Sequence, residues 1–270
     1  MADTLPSHSS PPSPSKPHQK PSTLRQRSRA YFSHTISTQH ASVPLLVCCL
    51  ISGLIDSVAY NAWSAFISMQ TGNTVFLGLG ASNQPLSKPY GWAKSLVSIA
   101  CFFVGCVCFS RAMRARGRGT TRGALLASFT VQAALMLVAA GLVQGKVVPV
   151  PIGARGDPDF IELLPIGLLA FQGGGQFVAS RLLGFSEIPT VVLTSVYCDL
   201  GMDEKLLEKK NDKRNHRVGA VVFILLGAIA GGWINRSQAG MATAVWVSGG
   251  LKLGIAVAWV FWKREEQEGE

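Results

Sequence analysis

Asp56 stands alone as an acid in a long oily stretch, LLVCCLISGLIDSVAYNAWSAFISMQTGNTVFLGLGA (45–81). At a bilayer centre such an acid costs about 2.5–3.5 kcal/mol on insertion scales, so intramembrane acids are paired, hydrogen-bonded or functional. Two readings of Asp56 are therefore open: a proton- or cation-linked carboxylate, and a structural acid held by hydroxyls or a basic partner. The same stretch carries a polar knot, Gln70-Thr71-Gly72-Asn73-Thr74, with Asn61 between knot and acid. Thr or Asn at the start of a half-helix leaves free N–H groups and a positive dipole end that suit an anion or a polar ligand. The alternative is a helix break whose side chains satisfy their own backbone. Far along the chain, Lys252 sits mid-way through an apolar run (SGGLKLGIA). It can pair with Asp56, which offsets the burial of both charges, or snorkel to an interface, which its central position disfavours. Gln172 and Gln176 lie four apart and so share a helical face, lining a cavity or bonding between helices. Thr190 and Thr194 complete the candidate set for solute binding or proton coupling.

These residues need apolar elements to hold them. Only 15% of the 270 residues are charged and 48% are hydrophobic, whereas a soluble chain carries about 25% charged residues. The net charge of +10 falls between apolar blocks, with no basic stripe among exposed aromatics. It thus fits the positive-inside rule and not nucleic-acid binding. The six cysteines lie in or beside apolar segments without CxxC pairing or histidines at metal-ligand spacing. They read as small buried hydrophobes, and no metal or cofactor is expected.

Residues 1–43 are rich in Pro, Ser and Arg and are expected to form a disordered basic tail. The stretch 20–40 also has the acid-free, Arg- and Ser-rich composition of a presequence. The membrane domain is expected over 44–262, in halves 44–143 and 161–262, with a charged tail at 263–270. Six spans of about 20 residues are predicted. The first runs from 44 to between 60 and 66, and the others cover 93–110, 123–143, 161–183, 218–235 and 241–262. Two short pieces, 71–81 and 188–198, supply about half a crossing each. The predicted fold is all-α: a polytopic bundle with two re-entrant or broken segments.

The tail, the loop carrying Arg111, Arg114, Arg116, Arg118 and Arg122, and the loop 199–217 are all basic. Placing them on the cytoplasmic side puts both termini there. It leaves only Lys88, Lys94, Lys146, Arg155 and Arg236 of the 25 Lys and Arg outside. The short pieces then re-enter without crossing. A rival reading counts 71–81 as a true span and sends the arginine loop outside. TGNTVFLG (71–78) and TSVYCDLG (194–201) match at Thr71/Thr194, Leu77/Leu200 and Gly78/Gly201, an offset of 123 residues. Each half has three crossings, so the halves are oppositely oriented, which is the inverted repeat of many transporters.

Over residues 44–262 the chain resembles the YoaK-like multi-pass membrane proteins, the domain of unknown function 1275. The resemblance rests on Gly53-x-x-Asp56, Phe66, Thr71-Gly72-Asn73 with Gly78, then Gly175-Gln176, Arg181 and Pro189-Thr190-x-x-x-Thr194. Family members usually carry a Thr-Thr pair and a Thr-Gly step in the second half; here Val191 follows Thr190 and Ser195 follows Thr194. The resemblance implies a membrane protein and no particular activity.

Gly227-x-x-x-Gly231 and Gly250-x-x-x-Gly254 are small-residue faces suited to close helix packing, within the chain or in a homo-oligomer. The expected partners are the lipid bilayer and a small polar solute. The function expected is a transporter or channel for a small polar or anionic solute, proton-coupled through Asp56. The alternative is a membrane scaffold whose polar residues serve packing only. An enzyme is not expected, because no activated Ser/His or Cys/His pair or nucleophile elbow is present.

Overall fold

Backbone in hydrocarbon has no water to bond, so apolar segments long enough to cross must satisfy themselves as helices. The computed structural model describes residues 23–85, 90–117, 119–148, 160–237 and 240–265. Within them lie α1 (Leu24–Ser33), α2 (Ser42–Trp63), α3 (Gln70–Ala81), α4 (Gly91–Ala115), α5 (Arg122–Gln144), α6 (Leu163–Leu182), α7 (Thr194–Gly201), α8 (Asp212–Arg236) and α9 (Gly240–Phe261). Six of them, α2, α4, α5, α6 with its preceding turn, α8 and α9, are long and apolar enough to cross a membrane. Among the described residues there is no strand, only two isolated bridges.

The bundle is oily on the outside. Phe103 and Val104 on α4, Leu225, Ile229 and Trp233 on α8, and Val257 and Phe261 on α9 are all exposed. Its interior holds Trp63, Trp259, Phe129 and Leu45, but also Ser52, Asp56, Gln132, Gln172, Gln176 and Lys252. An exterior this apolar marks a surface that meets lipid, and the protein is an integral, multi-pass membrane protein.

Three helix pairs dominate the packing: α2 on α8, α6 on α4, and α5 on α9. The first two crossings are backbone-to-backbone. A Cβ at Gly53 would collide with the Ile224 carbonyl, and one at Gly227 with the Leu50 carbonyl. At the other crossing a Cβ at Gly105 would meet the Phe171 carbonyl, and one at Gly174 the Phe102 carbonyl. Gly227 and Gly231 thus serve packing within the chain. Gly250 and Gly254 do not, since nothing lies within 4 Å of a Cβ added at either.

Residues 23–43 differ from the expected disordered tail; residues 1–22 of that tail lie outside the described residues. Thr23 caps α1 in a reciprocal box with Gln26. Arg122 then ties α1 to the bundle. Its guanidinium lies 3.9 Å from the centre of the Tyr31 ring, and it donates to the carbonyls of Tyr31 (3.1 Å) and Trp262 (2.5 Å). Bridges Thr35↔Thr121 and Ile36↔Arg264 add to this. The starts of α2 and α5 and the end of α9 therefore share one end of the bundle. Leu182, at the end of α6, packs by Gly119 at that same end. At the opposite end Lys94 near the start of α4 forms an ion pair with Glu162, just before α6.

Candidate functional site

Each half of the bundle contains one unwound segment, and the buried polar side chains gather around these two. The first lies between α2 and α3. Ser64 takes a left-handed conformation (φ 55°) and its N–H closes on the Tyr60 carbonyl, ending α2. The chain then runs through residues 65–69 with no helical partners for its N–H groups. Asp56, inside α2, supplies them. Its Oδ1 accepts from the N–H of Ile67 (2.7 Å) and of Ser68 (2.9 Å), and its Oδ2 accepts from the Ser68 hydroxyl (2.5 Å).

Asn73 closes the same segment from α3. It is completely buried. Its Oδ1 accepts from the Phe66 N–H (3.0 Å), and its Nδ2 donates to the Phe66 carbonyl (2.7 Å) and to Ser98 Oγ on α4 (3.0 Å). Gln70 Nε2 donates to the Ile67 carbonyl (2.8 Å). Gly72 makes room for this: a Cβ there would sit 2.8 Å from the Phe66 ring, which forms a mutually stacked triangle with Tyr60 and Phe76, centroids 5.0, 5.9 and 6.3 Å apart. Thr71 is exposed, and Thr74 bonds back to the Gln70 carbonyl (2.8 Å). Asn61, also exposed, donates to the Ser57 carbonyl one turn back. No side chain caps the start of α3. The knot is a clasp on a kink, and its amides are engaged by backbone. Asn73→Ala leaves the half-buried Phe66 N–H without its acceptor. Its expected cost is about 1–3 kcal/mol, read as a lowered unfolding midpoint in detergent; an unchanged midpoint would contradict the clasp.

The second unwound segment lies between α6 and α7. Gly184 (φ 85°) ends α6, and Pro189 keeps Ile188 out of the helical region. Helix α7 therefore begins only at Thr194, later than the short piece predicted from 188. Gln176 spans the gap: its Nε2 reaches Ser52 Oγ (2.8 Å), the Cys48 carbonyl (3.2 Å) and the Thr190 carbonyl (3.3 Å). The Ser180 hydroxyl donates to the Ile188 carbonyl (2.5 Å). Thr190 is fully buried in a left-handed conformation (φ 65°), and its Oγ1 has no partner. Gln172, one turn before Gln176, is buried with its Oε1 unpartnered. Thr194 is exposed.

Asp56 and Lys252 do not pair, against the expectation that their shared isolation suggested. Lys252 is fully buried on α9 and donates to Gln132 Oε1 on α5 (2.5 Å), with its ammonium 5.3 Å from the centre of the Phe129 ring. Gln132 in turn donates to Ser128 (3.0 Å). The reason for the separation lies along α2. Cys48, Ser52 and Asp56 succeed one another at one-turn spacing. Lys252 turns to Gln132 and Phe129 on α5, while Asp56, about 12 Å along α2 from Cys48, turns to residues 67 and 68. The residues that sequence reasoning missed, Gln132, Ser98, Ser68, Ser180 and Ser248, are lone polar side chains within or beside apolar runs. Gln132 carried a usable signal as the single amide in the third span.

Six long apolar helices around two polar breaks define a polytopic α-helical membrane protein. Residues 44–258 match the family model described as "Protein of unknown function (DUF1275)", and the chain belongs to that family. No curated protein and no solved structure matches the chain.

Proposed function

We propose that the protein is a transporter or channel for a small polar solute, built from two inverted halves. Exchanging the halves preserves the packing: α2 on α8 becomes α6 on α4, and α5 on α9 is kept. The glycine contacts exchange as well. Leu50 and Gly53 correspond to Phe171 and Gly174, and Phe102 and Gly105 to Ile224 and Gly227, at offsets of 121 or 122 residues. Since α2 leaves the end where α5 starts, α3 must return to the far end to let α4 come back. In the same way Glu187 beside His216 keeps α8 starting where α6 ended. These placements support two non-crossing pieces entering from opposite ends, and they disfavour the rival in which 71–81 crosses. Charge asymmetry supports cytoplasmic termini.

The observation that carries transport over pure packing is the set of unpartnered buried atoms, above all Gln172 Oε1 and Thr190 Oγ1. An inert core satisfies its buried polar groups; groups left open beside a helix break are what a passing solute would meet. Proton coupling through Asp56 is not part of the proposal, because its carboxylate already holds three donors. That saturation, with the full engagement of Asn73, favours the second reading, a scaffold. Flux into liposomes separates the two. Across a panel of small sugars, amides, amino acids and anions, the native chain is expected to move at least one solute. Gln172→Leu, with an unchanged unfolding midpoint as the check on its fold, is expected to reduce that flux about tenfold, the size of effect of removing one polar contact worth about 1.4 kcal/mol. No flux of any solute by the native chain leaves the scaffold.

A further inference from the structure

The ammonium of Lys252 is buried in the bundle against a neutral partner, and that is an odd way to keep a charge. Gln132 offers one carbonyl oxygen at 2.5 Å, while an ammonium has three N–H groups and no acceptor capacity. The ammonium also lies over the Phe129 ring, 5.3 Å from its centre, a contact that offsets only part of the charge. One turn earlier on the same face of α9, Ser248 is fully buried and its hydroxyl has no partner. The amide nitrogen of Gln132 is already engaged by Ser128. What remains open at this place is donor capacity on the ammonium and a hydroxyl that can donate or accept, about 6 Å apart along the helix. The nearest intramembrane acid, Asp56, serves the first break and forms no ion pair with Lys252.

We infer that Lys252 and Ser248, with Gln132 as the positioning partner, form a binding site for one small monovalent anion between α5 and α9, a halide or a short carboxylate. The inference rests on the transport reading for what the site is for, since it fixes the solute class as anionic. One net positive charge calls for one negative charge. Two donors on one helix face suit the two oxygens of a carboxylate or a single halide. A cation is excluded by charge, and a neutral polar solute would leave the ammonium uncompensated. Helix α9 also packs on α2, whose Cys48 gives its carbonyl to Gln176, which reaches the Thr190 carbonyl.

The test uses the full chain in nanodiscs, with sodium chloride, formate, acetate and nitrate as probes, glycerol as the neutral control, and ionic strength held with gluconate. The native unfolding midpoint is expected to rise saturably with at least one of the four anions and not with glycerol. Gln132→Glu sets a carboxylate against Lys252, so it is expected to weaken that anion response at least tenfold in a folded protein. Ser248→Ala, the second variant should the first not fold, is expected to weaken it three- to tenfold. No saturable response from the native chain, or an undiminished response in both variants, overturns the site. Flux then separates the two claims. Flux of a neutral solute by a native chain that shows no saturable anion response would retain transport and overturn the anion site. Saturable anion binding without flux of any solute would retain the site and overturn transport.

Discussion

Asp56→Leu is expected to leave almost no folded protein. The substitution strips acceptors from the N–H groups of Ile67 and Ser68 and from the Ser68 hydroxyl, all of them buried. A buried donor left open costs about 1–3 kcal/mol, and in hydrocarbon no water can take the place of the lost oxygen. Three such groups cost about 3–9 kcal/mol, which is comparable with the whole stability of a typical domain. Asp56→Asn should behave differently. Its amide oxygen can keep both backbone N–H groups, and its amine can face the Ser68 oxygen as a donor, because a hydroxyl also accepts. The cost then falls to about 1–2 kcal/mol, that of weakening charge-assisted bonds. The pair of variants separates the two readings of this acid. If Asp56 carries protons, the Asn variant folds and loses flux; if it braces the kink, the Asn variant folds and keeps it. Yield and monodispersity in detergent, with the unfolding midpoint, check the stability half. A well-folded Asp56→Leu protein would sink the bracing role.

How far the sequence could be read follows from the range of each interaction. The six spans were legible because hydrophobic length is a local property; the places where α2 and α6 unwind were not, because they are set by left-handed turns at Ser64 and Gly184 that apolar length does not reveal. Nor was partner choice. Asp56 bonds 11 and 12 residues ahead, whereas Lys252 bonds 120 residues back. A shared rarity of charge says nothing about which helices adjoin. The same limit governed the small-residue faces. Gly227-x-x-x-Gly231 and Gly250-x-x-x-Gly254 are the same pattern, yet the first meets the α2 backbone and the second meets nothing. Residues 23–43 have the composition of a disordered tail, but the guanidinium that orders them, Arg122, lies 91 residues from the Tyr31 carbonyl it holds. For Gln70 and Asn73 the sequence leaves two readings open, a ligand contact and a helix break that satisfies its own backbone. Only the fold shows that the purpose is the carbonyls and N–H groups of residues 66 and 67.

Gly53→Leu and Gly174→Leu are expected to fail alike, and their likeness is the sharpest test of the two-halves architecture. At each site the first atom of a side chain would overlap a carbonyl of the neighbouring helix: Ile224 on α8 for Gly53, Phe102 on α4 for Gly174. Backbone cannot rotate aside as a side chain can, so the helices must separate. Overpacking a closely packed interior costs about 1–3 kcal/mol, and here separation also forfeits the close approach that holds lipid-embedded helices together. Both variants should show a sharply lowered midpoint or no folded fraction, while Gly250→Leu, pointing into open space, should stay within about 0.5 kcal/mol of native. The comparison is informative because the three substitutions add the same apolar side chain to the same kind of helix. Any difference must come from the neighbour. If Gly53→Leu were damaging and Gly174→Leu harmless, the α2–α8 and α4–α6 crossings would not be equivalent. The exchange of halves, from which the opposed entry of the two short helices follows, would then lose its support. If both fail and Gly250→Leu does not, two crossings related by an offset of 121 or 122 residues carry the same constraint, which is what a repeated, inverted unit requires.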